Sequence, residues 1–175
     1  MTTTHNVVDK YRGWEMDLIR KDLKAKSFPF AVLMDNVSAD YNIGTFIRNG
    51  NIFGARTIFY RQDKKHYDNR GTVGAHHYSH VTHLKTLDEV AALKEHFRFV
   101  AIETELPGSI SIYKKMWLPN TLVIFGSEGS GISKEILEMC TESVHVPMYG
   151  SVRSLNVGTT SGIIMSHMAE QFKNE

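Results

Sequence analysis

The chain has 175 residues, 42% of them hydrophobic, enough for one well-filled core, so a single domain is the default. One cysteine, Cys140, excludes an internal disulfide framework and fits a reducing compartment. Residues 1–5 carry no apolar signal core and no run of about eighteen apolar residues exists, so a cytoplasmic protein with no membrane segment is expected. The net charge of +1 hides an asymmetry: residues 1–70 hold 12 Lys and Arg against 8 Asp and Glu, residues 71–175 hold 8 against 11. A basic N-terminal part suits phosphate contact, and a solvated helix face would give the same count.

In chain order, the spacing of Trp14, Leu18, Ile19 and Leu23 predicts a short amphipathic helix over residues 14–24. The apolar run Phe30-Ala31-Val32-Leu33-Met34-Asp35 has the length of a buried strand. A helix is expected over 42–53, closed by Gly54, then a strand over 56–60. Residues 61–80 read as a long irregular loop, of the kind that is usually functional or mobile. A helix at 87–96, strands at 98–102 and 121–125, a helix at 133–140 with Ser133 as N-cap, a strand at 144–146 and a final helix at 155–172 complete the pattern. Ile164, Met168 and Phe172 form the apolar stripe of that last helix. Strands alternating with helices argue for an α/β fold with a mostly parallel sheet.

Three segments just beyond strand ends, where parallel sheets bind ligands, carry chemistry. The first is Asn42-Ile43-Gly44-Thr45-Phe46-Ile47-Arg48, in which Asn42, Thr45, Arg48 and Asn49 are spaced to share a helical face. Arginine beside asparagine makes a good phosphate clamp, and on a surface it equally makes an ion pair. The second is Gly126-Ser127-Glu128-Gly129-Ser130-Gly131, whose glycines permit close backbone approach to a ligand. Its spacing is neither the dinucleotide fingerprint nor a phosphate loop. The third runs from Pro147 to Asn156, with Ser154 and Asn156 offering donors and acceptors at a helix start; a plain cap by Ser154 is the simpler reading.

Together the segments resemble motifs 1, 2 and 3 of the SpoU/TrmH family of RNA ribose 2′-O-methyltransferases, within the knotted SPOUT class. Motif 1 is met by Asn42, Gly44 and Arg48, motif 2 by Gly126, Glu128, Gly129 and Gly131, and motif 3 by Pro147, Met148, Gly150, Ser154, Leu155, Asn156 and Val157. The resemblance spans roughly residues 30–172. It departs at Gly158-Thr159-Thr160, where the family commonly has Ser and Ala, and at Asn49-Gly50-Asn51, in place of small apolar residues.

The resemblance implies a parallel sheet flanked by helices with a C-terminal trefoil knot, residues 29–175 forming the methyltransferase domain and 1–28 an N-terminal extension with a short helix. It implies S-adenosyl-L-methionine held through Gly126, Val146, Ser154 and Leu155, with Ile102 as an apolar wall. It nominates Arg48, Asn42, Glu128, Ser154 and Asn156 as catalytic, and a homodimer in which Arg48 reaches the partner's pocket. The expected partner is RNA, tRNA ahead of rRNA because the chain is short. Knots are exceptions to ordinary connection rules, and periodicity would not suggest one.

Several alternatives stay open: an rRNA-directed enzyme, a knotted RNA-binding module without catalysis, and a nucleotide-dependent oxidoreductase using the glycine loop. No G-x-S-x-G elbow supports a serine hydrolase. His76, His77, His80 and His83 crowd one segment without a fixed ligand pattern, so no metal is expected. Tyr60, Arg61, Lys64, Lys65, His66, Tyr67 and Arg70 interleave bases and rings as single-stranded nucleic-acid contacts do, and as an exposed loop does.

Overall fold

A computed structural model describes residues 6–36, 40–62, 67–104 and 106–174. Seven strands are described: β1 (Phe28–Asp35), β2 (Ala55–Arg61), β3 (Val81–Leu84), β4 (Arg98–Ile102), β5 (Ile110–Ser111), β6 (Thr121–Phe125) and β7 (Glu142–His145). They form one sheet in the order β3-β2-β1-β6-β4-β7-β5, with every pairing parallel. The helices are α1 (Met16–Ala25), α2 (Asp40–Ile52), α3 (Leu87–Ala92), α4 (Lys134–Met139) and α5 (Val157–Lys173). No helix among the described residues is long and apolar enough to cross a membrane.

The central strands are apolar at successive positions because both faces are covered. On one face Phe30, Val32, Met34, Val100, Val123 and Phe125 pack with α2 and α5 through Phe46, Ile47, Ile164 and Met168. On the other, Ala31, Leu33, Phe99, Ala101, Leu122 and Ile124 pack with Val90 of α3 and Ile136 of α4. The stripe expected on the last helix is buried, and the Phe172 ring stacks 6.2 Å from that of Phe30. Trp117 anchors the segment before β6: Gln171 on α5 accepts from its N–H and donates to its C=O, each at 2.8 Å, as a paired strand would.

Some expectations shift. Val81–Leu84 and Ile110–Ser111 are strands that short, mixed-polarity runs did not announce. Within 61–80, 3-10 turns occur at Asn69–Thr72 and Ala75–His77; Lys64, Lys65 and His66 lie outside the described residues. On α1, Ile19 is buried while Leu18 is exposed and shares an outer groove with Trp14, so the four apolar residues divide between two faces. Ser133 begins α4 but its hydroxyl makes no cap; its N–H donates instead to Asp35 Oδ2 at 2.9 Å. Asp35, wholly buried, also pairs with Arg61 at 2.6 Å, which joins the ends of β1 and β2 to the start of α4.

Candidate functional site

Register sets the level at which the loops leave the sheet. Met34 and Ile102 each pair with Phe125, and Ile102 with Val144, so the ends of β1, β6, β4 and β7 finish side by side. Beyond them opens a cleft of about 330 Å³, lined by the 102–104 strand end, the whole 126–131 loop, and residues of the 145–160 segment including Val146, Ser154 and Leu155.

The 126–131 loop is closed by reciprocal backbone bonds, Ser127 N–H to Gly131 C=O (3.1 Å) and Gly131 N–H to Ser127 C=O (2.9 Å). Its chain doubles back so tightly that a Cβ on Gly126 would lie 2.0 Å from the Gly131 carbonyl carbon, and Gly131 has φ +67°. Gly126 therefore has no room for a side chain, and a side chain at 131 would strain the turn.

Asn156 joins the three segments. Its amide donates to Asn42 Oδ1 at 3.0 Å and to Glu128 Oε1, while its Oδ1 accepts from Thr159 N–H at 3.1 Å. It is thus the N-cap of α5, a role the simpler reading gave to Ser154. Ser154 lines the cleft, as do Ile102, Gly126, Val146, Leu155 and Glu128.

Arg48 stands apart. It lines a second cleft with Asn51, Thr72 and Tyr78, bordered by the 6–11 segment and α1. The face of α2 that turns to α5 carries Asn42, Thr45 and Asn49; Arg48 is on another flank, because helical spacing puts it about 120° from Asn42. Within one chain it does not meet Ser154 or Asn156. It is exposed and forms no ion pair among the described residues.

The two departures from the family motifs meet each other. Asn49 Nδ2 donates to Gly158 C=O and to Ser161 Oγ, both at 2.9 Å, so a polar residue on α2 answers the small, open start of α5.

The other candidates have structural partners. His83 stacks on Tyr60 at 4.7 Å and reaches Gln62 C=O, His76 contacts Thr72 Oγ1 through Nδ1, and burial, then the neighbouring His77, holds the His76 imidazole below its ordinary pKa. No His, Cys, Asp and Glu group among the described residues is arranged to hold a metal. Burial pushes the Cys140 thiol up to about 11, so it is no nucleophile at neutral pH. Sequence reasoning missed Glu103 and His145 in the cleft; both stand at carboxyl ends of strands, a positional signal that was available.

The fold and the cleft define an α/β protein with an open cleft at the carboxyl edge of a parallel sheet, lined by segments that follow three strands. More narrowly, the chain belongs to the SpoU rRNA Methylase family, whose sequence model matches residues 29–166. It is 28% identical over 157 residues to the 23S rRNA (guanosine-2′-O-)-methyltransferase RlmB of Neisseria meningitidis, covering 84% of this chain and 61% of that protein. It is 26% identical over 157 residues to the tRNA (guanosine(18)-2′-O)-methyltransferase of Aquifex aeolicus, covering 87% and 74%. Another relative, from Mycolicibacterium gilvum, is matched over 51% of its length, so the chain spans between half and three quarters of these curated relatives. Among solved structures, the A. aeolicus TrmH/SpoU tRNA modifying enzyme superposes with a TM-score of 0.79 at 25% identity, over 91% of this chain and 83% of that one. AviRb from Streptomyces viridochromogenes, solved in complex with AdoMet, has the same fold, with a TM-score of 0.77 at 23% identity over 85% and 62%.

Proposed function

We propose that this protein transfers a methyl group from S-adenosyl-L-methionine to a ribose 2′-hydroxyl of RNA, in the cytoplasm and as a homodimer. The observation that carries the proposal is the junction at Asn156, which ties the three motif-bearing segments together at the rim of one cleft. The cleft's chemistry fits the donor. Ile102, Val146 and Leu155 offer apolar walls for a purine, the glycine-rich backbone offers close polar contact, and among the described residues no Lys or Arg lines it to pair with phosphates.

Bound there, S-adenosyl-L-methionine supplies a methyl group already activated by its positive sulfur. The chain's task is to hold and orient. Glu128, fixed by Asn156, orders the 126–131 loop; Ser154 and Leu155 close the opposite wall. Arg48 faces away from the cleft of its own chain, so we place it at the cleft of a second subunit, where it clamps the phosphate beside the target ribose. A guanidinium stays protonated, so Arg48 aligns the hydroxyl and the proton leaves to solvent. Alignment of this kind is worth several kcal/mol of barrier. The 1–28 segment is proposed as an extension that helps hold RNA. The trefoil knot is proposed for the C-terminal part; in its support, the chain beyond β7 returns to bury Phe172 against Phe30 of β1.

Both substrate classes named among the relatives, tRNA and 23S rRNA, belong in the test, with tRNA the preferred one. With donor tritiated on its methyl, the label should enter alkali-resistant dinucleotides of one of them, the mark of a methylated 2′-hydroxyl. Arg48→Ala should bind the donor undiminished by calorimetry and lose transfer. Label on a base, or full turnover by the variant, would contradict the proposal.

A further inference from the structure

The charges along the cleft point one way. Among the described residues its lining includes Glu103, Glu128 and His145, and no Lys or Arg. Glu128 is engaged by Asn156, and His145 Nδ1 by Ser109 Oγ at 3.1 Å. Glu103 is different. It follows Ile102 at the end of β4, its N–H donates to Val144 C=O at 3.2 Å, and its Oε1 accepts from Thr104 N–H at 3.1 Å. Its Oε2 lies 2.8 Å from the point a Cβ on Gly131 would occupy, so the carboxylate stands beside the glycine loop, where a side chain at 131 would displace it. No cation among the described residues pairs with it.

A carboxylate held by Thr104 N–H, with no cation paired to it among the described residues and a second carboxylate in the same lining, sets a negative potential in the cleft. Fixed charge in a partly enclosed site acts on a ligand's charge more strongly than in open water. The methyl donor carries a positive sulfur; after transfer the same atom is a neutral thioether. All other groups of the two molecules are the same.

We propose that Glu103 is a charge selector, favouring the positively charged methyl donor over its neutral product so that spent cofactor leaves and fresh donor enters. This rests on the reading that the cleft binds S-adenosyl-L-methionine. At an intermediate dielectric, one carboxylate favours the cation by about three- to tenfold, less in high salt.

The test is calorimetry on the full chain and on Glu103→Gln, which keeps the side chain's shape. The probes are S-adenosyl-L-methionine, S-adenosyl-L-homocysteine, and sinefungin, which carries a positive amine where the sulfonium stands. The donor-to-product affinity ratio should fall about three- to tenfold in the variant, with sinefungin following the donor, and the difference should shrink as salt rises. An unchanged ratio overturns the proposal, whether both ligands weaken together, as when Glu103 holds ribose hydroxyls common to both, or neither does. If the unaltered protein binds none of the three, the reading of the cleft falls and this proposal with it. The two failures are thus told apart by the unaltered chain.

Discussion

Asn156 uses every hydrogen-bonding atom of its side chain: two amide hydrogens on Asn42 and Glu128, one oxygen on the start of α5. Its two jobs can be separated. Serine caps a helix about as well as asparagine but has no second donor. Asn156→Ser should therefore change unfolding free energy by less than about 1 kcal/mol in urea titration. Donor affinity should nevertheless fall, because Glu128 and Asn42 are released from each other. A variant that lost stability and kept donor affinity would show Asn156 to be a cap alone. The motif residues stand out in sequence only jointly and in order, since each segment alone reads as a turn feeding a helix. Which of them touch was not: Asn42 and Asn156 are 114 positions apart, and only the fold brings them to 3.0 Å.

Among the elements, α2 decides most. Its Gly44 belongs to motif 1 for a packing reason: a Cβ there would sit 2.7 Å from Gly71 Cα and 3.1 Å from Thr72 N, backbone atoms of the 3-10 turn after β2. Gly44→Ala should destabilise the fold by about 1–3 kcal/mol, as overpacking does, despite alanine's better helix propensity. A more stable variant in thermal or urea melts would contradict that contact. The element also shows why helical spacing misleads. Spacing of three and four groups residues 42, 45, 48 and 49 on one face, yet the helix gives Asn42, Thr45 and Asn49 to α5 and turns Arg48 to the N-terminal segment. Long strands and helices were visible because buried parallel strands read as unbroken apolar runs. β3 and β5 escaped because they are short, edge-placed and only partly buried.

At the scale of the whole molecule, the N-terminal segment is fastened to the body by polar contacts. Asn6 donates to Val73 C=O at 2.7 Å and Arg20 to His77 C=O at 2.6 Å. Within the segment, Asp22 accepts from Lys10, Lys26 and Tyr11 at 2.6–2.7 Å, and those hydrogen bonds, Lys10's first, hold its carboxyl well below the usual carboxylate range. A pKa lowered by folding stabilises the fold above the unfolded value and ceases to do so as pH falls. The melting difference between the unaltered chain and Asp22→Asn should be full at neutral pH and shrink below roughly pH 4. An equal difference at pH 3 and pH 7 would contradict it. The α/β class and parallel sheet follow from the alternation of elements, whereas strand order depends on crossovers that periodicity does not encode.

The central claim is that the 102–104, 126–131 and 145–160 segments, fastened through Asn156 to Asn42 of α2, build one cleft for a methyl donor. The most direct measurement is a crystal structure of the chain grown with S-adenosyl-L-homocysteine. The account predicts density between Ile102, the 126–131 loop and Leu155. Density elsewhere, or a ligand-free cleft at saturating concentration, would contradict it.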